Sequence, residues 1–145
     1  MRSSLAPARL LAILLLAGLL SVAALGVSGL APATASASAC VREGRYHYDP
    51  DWQRLRPGWI CGNTPHTGMY LNATFQSFPV AIMDSSRSWF VCWGYGDYHM
   101  GGNNIWYRSQ GDRFWGNYPW SDRWGWIPAS NVYTSIDPQP GMERC

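Results

Sequence analysis

From Met69 onward the chain alternates between short apolar or alternating runs and clusters of Gly, Pro, Asn, Asp and Ser. Met69-Tyr70-Leu71-Asn72-Ala73-Thr74-Phe75 places Met69, Leu71, Ala73 and Phe75 on one face and Tyr70, Asn72 and Thr74 on the other, the period of a half-buried strand. Pro79-Val80-Ala81-Ile82-Met83 is a short apolar run closed by Asp84-Ser85-Ser86 and predicts a second strand and a turn. Trp89 to Tyr95 is rich in aromatic and β-branched residues and apolar on both faces, which predicts a central strand. A polar, glycine-rich loop follows to Asn104, and Ile105-Trp106-Tyr107-Arg108-Ser109 resumes the β pattern. Gln110-Gly111-Asp112 is a hairpin-type turn signal. Trp124-Gly125-Trp126-Ile127 predicts a fifth strand, Pro128 to Asn131 a single 3₁₀ turn, and Val132-Tyr133-Thr134 a closing strand. Six short strands at this spacing, with no helical period among them, predict a small all-β barrel.

The stretch before these strands reads differently. From Val41 to Pro65 there is little periodicity, and Tyr46, Tyr48, Trp52 and Trp59 are scattered among Arg, Asp, Pro and Gly. Asp49-Pro50-Asp51 and Arg56-Pro57-Gly58 are turn signals, because proline presets φ and glycine tolerates positive φ. The expectation is an irregular, disulfide-tied arm over residues 40–65, with one short strand at Trp59-Ile60-Cys61, that either packs over an open end of a barrel at 66–145 or binds a partner.

Ahead of the arm, Arg2 and Arg9 precede the apolar run Leu10 to Leu16 and an uncharged, small-residue tail to Ala39. That order predicts a secretory signal peptide over residues 1–39, cleaved just before or close to Cys40 at one of three overlapping Ala-x-Ala sites. Its removal changes the charge. The formal +2 comes from Arg2 and Arg9; beyond them nine arginines face nine acids, with no lysine, so the mature chain is neutral. A neutral chain has no clustered positive charge with which to bind nucleic acid or an anionic membrane.

Export also frames the cysteines. Cys40, Cys61, Cys92 and Cys145 form an even set in an oxidising compartment and predict two disulfides out of three possible pairings. The preferred pairing is Cys40 with Cys61 and Cys92 with Cys145; the second closes a long loop, worth roughly 4 kcal/mol in the chain-entropy model. The alternative for Cys40 is acylation, because Ala37-Ser38-Ala39-Cys40 is close to a bacterial lipobox.

Several fragments carry a family likeness: Tyr70-Leu71-Asn72, Phe90-Val91-Cys92-Trp93, Gly102-Asn103-Asn104-Ile105-Trp106-Tyr107, Gly125-Trp126-Ile127-Pro128-Ala129-Ser130-Asn131-Val132, and Pro140-Gly141 followed by Arg144-Cys145. As a set they resemble small exported SH3-like (bacterial SH3b-type) domain proteins of actinobacteria, from about Thr67 to Cys145. The resemblance implies a five- or six-stranded SH3-like barrel, a strand cysteine paired with the terminal one, and a non-catalytic binding role, often at the cell wall. The chain departs from that pattern in its long aromatic arm and in Arg113 to Asp122, which reads as an insertion between two strands.

Candidate chemistry is aromatic rather than catalytic. His47, His66 and His99 fall in unrelated segments, and no nucleophile is paired with a base, so no catalytic residue and no cofactor are expected. Asp97 and His99 alone do not make a metal site. The strand tryptophans Trp89, Trp93, Trp106 and Trp126 are expected in the core. Tyr95, Tyr98, Trp115, Tyr118 and Trp120 fall in predicted loops, with Asp97, Asn103 and Asn104 beside them as hydrogen-bonding groups. Flat rings flanked by amides suit a sugar face or an extended peptide. The resulting expectation is a secreted, monomeric, non-catalytic module whose partner is peptidoglycan, met as peptide or glycan. The alternatives are an interaction or inhibitor protein docking another extracellular protein through the 113–122 loop, and a lipoprotein anchored at Cys40.

Overall fold

The computed structural model describes residues 40–117 and 122–145, which form two antiparallel sheets. The strands are β1 (Val41–Asp49), β2 (Arg54–Asn63), β3 (Thr67–Tyr70), β4 (Pro79–Met83), β5 (Arg87–Phe90), β6 (Cys92–Tyr95), β7 (Ile105–Gln110), β8 (Arg113–Phe114), β9 (Trp124–Pro128) and β10 (Val132–Tyr133). A 3₁₀ turn at Ala129–Asn131 separates the last two, where the proline and polar residues predicted one. In the first sheet β2 is central: β1 and β10 share one of its edges, and β5 pairs along the other. The second sheet runs β6-β7-β9-β3-β4-β8. The expected closed barrel of five or six strands is therefore replaced by two sheets with ten strands among the described residues.

The sheets are joined through continuous chain. Arg87 to Tyr95 is one extended run that pairs with β2 as β5 and with β7 as β6. Val91, at the change of partner, donates its N–H to the carbonyl of Arg108 at 3.0 Å. Between the sheets lies the apolar core, built from Cys61 and Phe90 on one side and Met69, Ala81, Met83, Tyr107 and Ile127 on the other. Both preferred disulfides are formed, Cys40–Cys61 and Cys92–Cys145. The Cys40 sulfur is thus committed to Cys61, which leaves no thiol there for acylation.

The largest correction concerns residues 40–65. The expected irregular arm is a hairpin of the two longest strands among the described residues, with Tyr48 opposite Leu55 and His47 opposite Arg56. Apolar periodicity missed it because the hairpin is inverted. Its outward face carries Tyr46, Tyr48 and Leu55, all exposed, whereas its inward residues include Asp49 and Arg56, both fully buried. A pattern search that equates buried with apolar finds no stripe there.

A second correction shortens the strand expected over Met69 to Phe75. Pairing ends at Tyr70, and Leu71 N–H donates to Phe78 O at 2.9 Å, closing a compact loop. Met69 is buried as predicted, but Leu71 and Phe75 are exposed. The expected insertion is also partly strand: Arg113–Phe114 pairs with β4, and the Trp115 N–H continues to the carbonyl of Val80. Of the strand tryptophans expected in the core, Trp106 and Trp126 are buried, whereas Trp89 and Trp93 are half-buried and pack on its margins.

Candidate binding surface

The 95–104 loop connects β6 to β7 and holds five of the residues singled out from sequence. Tyr95 is the last residue of β6, and Tyr98 lies in the loop; both rings are exposed, Tyr98 at 74% of its full surface. The polar residues beside them point inward and hold the loop. The Asp97 carboxylate accepts from Thr74 Oγ1 at 2.7 Å and from the Phe75 N–H at 3.0 Å, while its own N–H donates to Ala73 O. Asn103 accepts the Ile105 N–H through Oδ1 at 2.8 Å and donates through Nδ2 to Asp137 at 3.0 Å. Asn104 contributes its carbonyl, which accepts from Gly96 N–H. Asp97 and Asn103 are therefore not free recognition groups, as the sequence suggested, but the anchors that shape the loop, while Asn104 braces it through its backbone alone.

His99, in the same loop, is buried and completes this frame. Its Nε2 lies 2.8 Å from Ile105 O, an acceptor, and its Nδ1 lies 3.2 Å from the donating Gly101 N–H. Those partners match a ring that donates from Nε2 and accepts at Nδ1. Gly96 is required where this loop meets the 71–78 loop, since a Cβ there would collide with the Ala73 carbonyl. Trp106, beneath the junction, donates its indole N–H to Asp97 O at 2.9 Å and packs against Tyr70 and Phe75. Tyr98 and the wholly exposed Met100 are thus displayed on a loop fixed at both ends and in the middle.

Trp115 is not part of this surface. It follows β8, at the far edge of the second sheet from β6, with its ring against Gly68 and 40% of its surface exposed. Tyr118 and Trp120 lie outside the described residues. The expected group of eight therefore divides into one coherent loop and a separate edge.

An ionic cluster that sequence reading missed lies beneath the β1–β2 hairpin. Arg108, on β7, is buried, with its Nε 3.1 Å from Asp49 Oδ2 and its Nη2 on Asp51. Arg56 adds a 3.5 Å contact to Asp49 and a 2.5 Å bond to Glu143. Indole rings enclose the guanidinium of Arg108, with Trp52 4.7 Å, Trp124 5.4 Å and Trp126 5.6 Å from it. The available signal was Arg108 itself, a charge directly after the apolar run Ile105-Trp106-Tyr107.

The other acids are also engaged internally. Glu43 meets His47, Asp84 meets His66 and Arg113, and Glu143 meets Arg54 as well as Arg56. Asp112 accepts the Asp84 and Ser85 N–H groups, Asp122 accepts the Trp124 N–H, and Asp137 accepts the Tyr107 phenol at 2.7 Å. Burial, reinforced by that bond to Asp137, pushes the Tyr107 phenol well above its ordinary range. Arginines are less fully paired: Arg42, Arg45 and Arg144 form no ion pair among the described residues, and the undescribed residues contain no Asp or Glu.

Among the described residues no group of three or more His, Cys, Asp or Glu is placed to hold a metal, and no helix is long and apolar enough to cross a membrane. The fold and surface together define a disulfide-tied, two-sheet all-β domain displaying a braced aromatic loop. No protein-family model matches the chain, and neither a curated protein nor a solved structure is significantly similar to it.

Proposed function

We propose that the protein is an exported, non-catalytic binding module that recognises cell-wall material, peptide or glycan, through its 95–104 loop. The observation that carries this reading is the division of labour in the loop: Asp97, His99 and Asn103 spend their polar groups on internal anchors, while Tyr95 and Tyr98 face solvent. Rigid aromatic rings lose little conformational entropy on contact, so a braced loop presents them at low cost. Two disulfides suit an oxidising, extracellular location, and the chain's resemblance to SH3-like wall proteins points the same way.

Retention on purified peptidoglycan tests the proposal. The folded protein is expected to co-sediment with the wall, and Tyr95→Ala with Tyr98→Ala is expected to weaken retention about tenfold or more while leaving thermal unfolding unchanged. Absence of retention by a protein whose fold is confirmed would reject it.

A further inference from the structure

Arg144 is held on an aromatic platform beside this loop. Its guanidinium lies 4.7 Å from the Tyr95 ring centre and 5.9 Å from that of Trp93. Its backbone is fixed on both sides, because Trp93 N–H donates to Glu143 O at 3.1 Å and Cys145 N–H donates to Trp93 O at 2.9 Å. The Cys92–Cys145 disulfide ties the next residue to β6, and the Trp93 indole donates to Met142 O at 3.0 Å. Stacking on a ring occupies the guanidinium face and leaves its edge, with its N–H donors, for a ligand. The side chain is exposed and has no carboxylate partner among the described residues, in a domain whose nine acids are all occupied.

We propose that Arg144, stacked on Tyr95 and Trp93, recognises the carboxylate of an extended peptide. A planar guanidinium pairs with a carboxylate through two parallel N–H···O bonds, and its fixed backbone reduces the entropy lost on binding. The peptide assignment comes from the strand edge. The 143–145 segment already pairs with the outer side of Trp93 as a short parallel strand. The Tyr95 backbone faces that same side, two residues along, and no described strand pairs with it there. An extended peptide running antiparallel to β6 along that edge would end beside Cys145 and bring its carboxylate to Arg144. The inference rests on the reading of the 95–104 surface as a ligand site and names the chemistry of its ligand.

The test uses the full protein labelled with nitrogen-15 and two probes, N-acetyl-alanyl-alanine and its C-terminal amide. Arg144 Nε–H and Trp93 Nε1–H resonances should shift on adding the acid, which should bind about tenfold more tightly than the amide. Arg144→Gln should erase that preference, and Arg144→Lys should retain part of it, because lysine keeps the charge but not the fork. Equal responses to acid and amide, or an undiminished preference in Arg144→Gln, would overturn the proposal. A response to glucuronate without one to the peptide acid would overturn the peptide assignment. Failure of wall retention would remove the cell-wall reading and leave this result standing, so the two outcomes are separable.

Discussion

Tyr107 and Arg108 are neighbours on β7, both fully buried, and they face opposite sides of the same strand. Tyr107 enters the apolar core between the sheets, where its one polar atom binds Asp137 and the Gln139 N–H. Arg108 enters the ionic cluster under the β1–β2 hairpin, where the neighbouring groups are carboxylates and indole faces. An apolar layer forms from any side chains of suitable volume, so it tolerates conservative exchange. A buried charge network has no such latitude, because each member left alone carries an unrelieved desolvation cost. The difference shows that burial in this protein is secured by two rules, and that only one of them leaves an apolar pattern in sequence.

The sharpest way to break the comparison is Arg108→Met. It leaves Asp49 buried with the longer Arg56 contact as its only ion pair, beside the bond it accepts from the Asp51 N–H, and the expected loss is about 3–5 kcal/mol, measured by urea denaturation. Asp49→Asn combined with Arg108→Met should recover part of that loss, since no charge then remains unmatched at the pair. A single-mutant loss below about 1 kcal/mol would place the cluster with surface ion pairs instead. Ile127→Val, the counterpart in the apolar core, should cost about 0.5–1.5 kcal/mol.

Asp84 supplies the smallest effect, because it reproduces the same chemistry in water. Arg113 at 2.7 Å and His66 at 2.9 Å hold its carboxyl below the ordinary 3.8. A carboxylate with a depressed folded pKa contributes stability that is present above its unfolded pKa and lost as pH falls through the folded value. Asp84→Asn should therefore lower the melting temperature slightly at neutral pH and converge with the parent protein once the pH has fallen through the lowered folded value. A deficit that persists unchanged in acid would show that the residue acts through its shape rather than its charge.

The two burial rules also account for what was legible in the chain. β4, the β5–β6 run, β7, β9 and the 3₁₀ turn were readable because their residues follow apolar runs bounded by turn formers. Both disulfide pairings could be preferred from export and cysteine spacing. The β1–β2 hairpin was not readable, since Asp49 and Arg56 occupy inward positions that a hydropathy pattern assigns to solvent. At the candidate surface, the exposure of Tyr95 and Tyr98 was foreseeable from their loop context. The inward use of Asp97 and Asn103 depends on Thr74, Phe75 and Asp137, partners too distant in sequence to be inferred from local pattern.

The run from Arg87 to Tyr95 has a consequence for how the molecule comes apart. Because one extended segment hydrogen-bonds to β2 with its first half and to β7 with its second, neither sheet can shed it without disturbing the other. The amides of Phe90, Val91 and Cys92 sit at that join, in a fully buried stretch. Slow, common exchange of these amides with deuterium is expected, at the rate of global opening, while the outer part of β1 exchanges through local fraying. The two sheets should then melt as one cooperative unit rather than in succession.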